Sequence, residues 1–119
     1  MENEMMNIAK LAAKTASDKK AKDVIVLEIA ELSVIADYFV ICSGNSETQV
    51  QAVSKEIKDK MEESNIQVKG IEGMDQARWV LIDLGDVVVH VFHKEERDFY
   101  NLERLWRDAP VVEVEGVVE

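Results

Sequence analysis

The sequence predicts a single α/β domain in which a mixed β-sheet is flanked by helices. Three observations carry this expectation. Apolar residues recur at helical spacing over 4–17 and again after Ser46, while 24–29, 37–43, 66–71 and 78–93 are apolar, mostly β-branched runs of strand length. Helical and strand patterns alternate along the chain with no internal repeat and no linker, the order of an α/β domain. At 119 residues, 47% of them hydrophobic, the chain suffices for one core and not for two.

The first helix is expected over 4–17, where Met5, Ile8, Ala9, Ala12, Ala13 and Ala16 form a stripe of mostly small side chains. Ser17 to Asp23 is a polar connector. Val24-Ile25-Val26-Leu27-Glu28-Ile29 is a strand by its β-branched content. Asp37 to Ser43 is apolar at successive positions, which suits a strand buried on both faces. Ser43-Gly44-Asn45 breaks it. Ser46 then caps a helix, with Gln49 three residues on completing a capping-box pattern. Val50, Val53, Ile57 and Met61 give that helix its apolar stripe, and Ser64-Asn65 ends it.

Ile66 to Ile71 reads as a shorter strand bounded by Gly70 and Gly73. Arg78 to Leu84 and Val87 to His93 read as two strands joined at Gly85-Asp86, a dipeptide suited to a tight hairpin. Glu95 to Arg107 reads as one final helix, stopped before Pro110. The domain is taken to span 1–110. Val111 to Glu119 alternates Val with Glu and fits either an edge strand or an acidic C-terminal tail.

Charge narrows the class of function. Asp and Glu number 24 against 14 Lys and Arg, a formal net charge of -10. Duplex nucleic acid is bound largely by neutralising its phosphates, so sequence-specific nucleic-acid binding and membrane surfaces are disfavoured. The long-range field favours a basic partner, such as a basic protein that sits on RNA. No segment has the roughly 20 apolar residues that span a bilayer, and Met1 to Asn7 lacks the basic start of a signal peptide. The lone Cys42 has no partner for an internal disulfide, which fits a reducing, cytoplasmic setting.

The hairpin register sorts its side chains. With a two-residue turn, Leu84 pairs with Val87, Ile82 with Val89 and Val80 with Val91 on one face. All are aliphatic, so this is a core face that a helix should cover. The opposite face carries Asp83 with Val88, Leu81 with His90, and Trp79 with Phe92. Aromatics beside a few polar groups have the composition of a protein-binding patch, but a cross-strand aromatic pair is equally at home in a core. The residues leave both uses open.

Catalytic chemistry finds little support. Ser43-Gly44-Asn45-Ser46, between a buried strand and a helix N-terminus, is placed to hold an anion and has the look of a nucleotidyltransferase turn. Such enzymes need paired carboxylates on a neighbouring strand, and Ile66 to Ile71 has none. His90 and His93 fall on opposite faces of one strand, so no metal site is expected and no cofactor is called for. Cys42 reads as an inert core residue. Near the C-terminus Phe99, Leu102 and Trp106 share one helical face, leaving Arg97, Tyr100 and Leu105 for another. Tyr and Arg are frequent interface anchors.

Three segments together resemble the signatures of the Iojap-like ribosomal silencing factors. They are Ala36 to Ser46 followed by Gln49-Val50, then Trp79 to Phe92, then Arg97 to Trp106, in that order and within residues 5–107. The resemblance implies a domain of nucleotidyltransferase-like architecture without catalysis. It implies binding to the large ribosomal subunit through ribosomal protein L-fourteen, which blocks joining of the small subunit and represses translation when nutrients are scarce. It further implies a homodimer. On this reading Trp79, Leu81, Asp83, Val88, His90 and Phe92, with Arg97, Tyr100, Leu105 and Trp106, are the candidate partner-binding residues. The alternatives are a nucleotidyltransferase-like nucleotide-binding enzyme and a dimeric scaffold with unrelated partners.

Overall fold

The computed structural model describes residues 4–117. Helix α1 spans Glu4–Asp18, followed by strands β1 (Lys22–Glu28) and β2 (Tyr38–Gly44), helix α2 (Glu47–Glu63) and strands β3 (Gly70–Glu72), β4 (Trp79–Asp83) and β5 (Val87–His93). Two short helices close the chain, α3 (Lys94–Tyr100) and α4 (Leu102–Leu105). The strands form one mixed sheet in the order β1-β2-β5-β4-β3, parallel at β2 with β5 and antiparallel elsewhere.

Both long helices lie on one face. The alanines of α1 (Ala9, Ala12, Ala13 and Ala16) and the Val50, Val53, Ile57 and Met61 stripe of α2 bury against Val24, Val26, Val40, Val80, Ile82, Val89 and Val91. Small side chains on α1 let its backbone approach the sheet closely. Each helix ends through a left-handed residue, Lys20 after α1 and Asn65 after α2. In both, the next amide reaches back five residues, Ala21 to Ala16 at 2.9 Å and Ile66 to Met61 at 2.8 Å. At the start of α2, Ser46 Oγ accepts from the Gln49 amide at 3.1 Å, and the Gln49 side chain accepts from the Asn45 amide. The second bond lands one residue before the usual capping-box position.

The hairpin has the expected register, Trp79 opposite Phe92, Leu81 opposite His90 and Asp83 opposite Val88. Gly85 holds φ +96 at the first turn position, the requirement of a type II′ turn. Asp83 Oδ1 accepts its amide at 2.8 Å. Strand β2 is buried on both faces along its whole length, as its unbroken apolar run predicts.

Two elements differ from the sequence reading. The strand expected over Ile66 to Ile71 starts late and runs one residue further, as Gly70–Glu72: these residues are in register with β4, while Ile66 and Val68 turn in against the main core. The helix expected over 95–107 is two helices. Asn101 adopts a left-handed conformation (φ 48, ψ 58), so α4 leaves on a new axis. Past the helices the chain runs beside β1: Glu28 donates to Pro110 O, Val112 donates to Val26 O, and Val112, Val114 and Val117 pack on the core. Val118 and Glu119 lie outside the described residues.

Candidate docking surface

The second face of the sheet is where sequence reasoning left the choice between core and contact open. Here Leu27, Ile29, Phe39, Ile41, Val88 and Phe92 form a smaller core, with Trp79, Leu81, Leu102 and Trp106 packed at its edge. Among the described residues, α3 reaches this face through Tyr100, and α4 with the residues after it crosses it through Leu102, Trp106 and Ala109, so the cover is partial.

Side chains at the centre are buried within the chain. Phe92 is 0% exposed, and removing such a ring from water contributes about 1.5–3 kcal/mol. Val88 and His90 are buried as well. These three support the surface from below. Trp79, Leu81 and Trp106 are half-buried, while Tyr100 is 47% and Leu105 72% exposed. The side chain of Phe99 lies outside the described residues.

The aromatic groups form a continuous row. Tyr100 lies 4.8 Å from Trp79 between ring centroids, Trp79 stacks on Phe92 at 5.0 Å, Phe39 meets His90 edge-on at 4.6 Å, and Trp106 meets Phe39 edge-on at 5.6 Å. Each contact lies in the range where aromatic pairs attract beyond area burial. Tyr100 from α3 and Trp106 from the end of α4 thus belong to one shelf, although Asn101 separates their helices.

His90 is the polar centre of this row. Its Nδ1 accepts from the Trp79 indole N–H at 3.1 Å, which puts the imidazole proton on Nε2. Among the described residues, that buried Nε2 has no hydrogen-bond partner. Burial pushes the His90 pKa down to about 4, so the ring is neutral near pH 7.

Arg97 differs from its expected place on the contact face. Its guanidinium turns inward: Nε and Nη2 donate to the two Glu103 oxygens at 3.1 and 2.9 Å, and Nη1 donates to Ser43 Oγ at 3.3 Å and Lys22 O at 3.4 Å. Asp83 is likewise engaged in the hairpin turn. Sequence reasoning missed Arg104 and Arg107, exposed residues that line an open groove of about 680 Å³ with Tyr100, Leu105, Asp98 and Asp108. Their spacing from each other, i and i+3, was the available signal. An aromatic and aliphatic centre with a mixed charged rim is the anatomy of a protein interface.

In the Ser43–Ser46 turn both serine hydroxyls and the Asn45 backbone amide are engaged within the chain. Ser43 Oγ donates to Lys22 O and accepts from Arg97, while Asn45 and Ser46 are joined to Gln49. Among the described residues, no group of three His, Cys, Asp or Glu side chains is placed to hold a metal ion. Burial lifts the Cys42 thiol to about 12, far from the range of a nucleophile. No helix of the described residues is long and apolar enough to cross a membrane.

Known proteins resemble this chain in sequence and in fold. The family model described as ribosomal silencing factor during starvation matches residues 2–119. The ribosomal silencing factor of Bacillus subtilis (strain 168) is 58% identical over 109 residues, 92% of each chain. A crystal structure from Bacillus halodurans is similar with a TM-score of 0.81 and 53% identity, covering 92% of this chain and 99% of that one. Another, from Chromobacterium violaceum, is similar with a TM-score of 0.85 and 37% identity, covering 88% of each.

Proposed function

From the premise that this chain belongs to the ribosomal silencing factor family, we propose that it docks on protein L-fourteen of the large ribosomal subunit through the shelf of Trp79, Leu81, Tyr100, Leu105 and Trp106. Occupying that face blocks joining of the small subunit and represses translation. The observation that carries this reading is the shelf itself, an aromatic row with Leu105 72% exposed at its edge. Trp, Tyr and Arg are the usual anchors of a protein interface, and the shelf presents Trp79, Tyr100 and Trp106 beside Arg104 and Arg107. A net charge of -10 supports a basic protein as the partner and disfavours sequence-specific contact with nucleic acid.

The role is regulatory and needs neither catalysis nor a cofactor. Val88, His90 and Phe92 hold the shelf from beneath, and Arg97 and Asp83 act inside the fold. The protein works in the cytoplasm, and a homodimer fits the family pattern. Co-sedimentation of the protein with purified large subunits tests the reading. Wild-type protein should migrate with the subunits, and a folded Trp79→Ala variant should lose most of that association. Full co-migration of the variant would remove Trp79 from the site.

A further inference from the structure

We infer that Arg97 is a positioning residue, a latch that holds α4 in the orientation the docking surface requires, without touching the partner. The inference rests on the proposed docking surface for its functional consequence, and on geometry for the latch itself.

The geometry is specific. The chain turns sharply at Asn101, where the left-handed backbone costs free energy in any residue with a β-carbon. Asn101 meets part of that cost locally: its amide donates to Arg97 O at 2.9 Å and its side chain accepts from the Arg104 amide at 3.3 Å. A helix of four residues has no stability of its own. Something must therefore fix the angle at which α4 leaves. Arg97 spans the turn, with both nitrogens on one edge of its guanidinium meeting both oxygens of Glu103. The remaining nitrogen is tied to Ser43 at the end of β2 and to Lys22 O at the start of β1.

Burying an arginine incurs a desolvation cost, and an apolar side chain would fill the same volume without it. What the arginine adds is direction. A planar fork against a carboxylate sets angle as well as distance, which a lysine ammonium does not do. The residues placed by that angle are Leu102 and Trp106, which pack on the second face, and Leu105, which stays exposed. At the far end, Pro110 O accepts from the Glu28 amide, so the segment after Asn101 is pinned at both ends. The Arg97 end is the polar and directional one.

The test compares direct contact with positioning. Arg97→Lys, Glu103→Gln, Trp106→Ala and the double variant Arg97→Lys/Trp106→Ala are titrated against purified large ribosomal subunits. Amide hydrogen exchange is followed in the free proteins at Leu105, Trp106 and Ala109, whose amides are hydrogen-bonded within this segment. Arg97→Lys and Glu103→Gln should each weaken binding by about tenfold, which is about 1.4 kcal/mol. Both should speed exchange at those amides while leaving α2 and β5 protected. In the Trp106→Ala background, Arg97→Lys should cause little additional loss, because it acts through the element already impaired.

Multiplying losses in the double variant would overturn the latch and return Arg97 to direct contact. So would unchanged exchange in the single variants. Should Arg97→Lys fail to fold, Glu103→Gln carries the test, since Glu103 is partly exposed. Failure of the wild-type protein to bind subunits would sink the proposed function alone. Exchange at Leu105, Trp106 and Ala109 would then still decide whether Arg97 holds α4.

Discussion

The indole N–H of Trp79 donates to Nδ1 of His90 at 3.1 Å, across a strand pair in which Trp79 faces Phe92 and His90 faces Leu81. This diagonal bond links a half-exposed residue of the shelf to a buried one beneath it. Trp79→Phe keeps the stacking on Phe92 but leaves Nδ1 without its donor. Stranding a buried acceptor costs about 1–3 kcal/mol, so the variant should unfold at correspondingly lower denaturant. Adding His90→Leu should recover part of the loss, because both polar partners are then gone. Equal stability of wild type and Trp79→Phe would show that the bond contributes nothing.

Acid should weaken the fold through the same histidine. Its pKa falls from 6.5 to about 4 on burial, so the unfolded chain binds more protons in the interval between them. Stability from this group is therefore complete above about pH 6.5 and lost progressively as pH falls toward 4, on the order of 3 kcal/mol in all. Protonation also places a hydrogen on Nδ1, where the indole now donates. Denaturant midpoints measured from pH 7 to 4 should fall more steeply in the wild type than in His90→Leu. Parallel curves would remove His90 as the cause.

Gly73 should tolerate no side chain. Its φ is +88, and a β-carbon there would lie 2.2 Å from Trp79 O, at the start of β4. Gly73→Ala should cost about 2 kcal/mol or more from backbone strain and the displaced strand. Because Trp79 moves with that strand, subunit binding should fall too. A thermal midpoint unchanged from wild type would contradict this account.

Leu105 should separate binding from stability. It is 72% exposed and lies outside both clusters of buried residues. Leu105→Asp should change stability by no more than about 0.5 kcal/mol and weaken large-subunit binding by at least tenfold, about 1.4 kcal/mol. Retained binding would exclude this edge of the shelf.

The Cys42 thiol should resist alkylation in the folded protein. It is buried in the main core and held to about 12 by burial, despite the opposing field of the Arg97 guanidinium. Reaction with iodoacetamide at pH 8 should be far slower than in urea, and should track opening of the fold. Rapid native labelling would mean that β2 is less protected than its burial indicates.

The hairpin was legible in the sequence to the level of individual pairs. Gly85-Asp86 selects a turn type, the turn sets the register, and the register assigns each side chain to a face. Capping at Ser46 and the stripe of α2 were legible for the same reason, as interactions spanning a few residues. The break at Asn101 was not. Apolar spacing runs on through it, and the left-handed turn is held by Glu103 meeting Arg97, itself anchored to Ser43 far back in the chain. Nor was the shortness of β3, which depends on how far β4 extends beside it.

By itself the sequence determined the α/β class, the six aliphatic side chains of the hairpin's core face and the mixed composition of the face behind it. Those properties follow from local geometry, because alternation in a strand and recurrence in a helix are properties of the backbone. Only the tertiary structure decided what the mixed face exposes. Phe92, Val88 and His90 go under, Arg97 turns inward, and Trp79, Tyr100 and Leu105 remain at the surface. Exposure depends on which distant segment lies over a residue, and on this face that segment arrives after a turn that local spacing does not reveal.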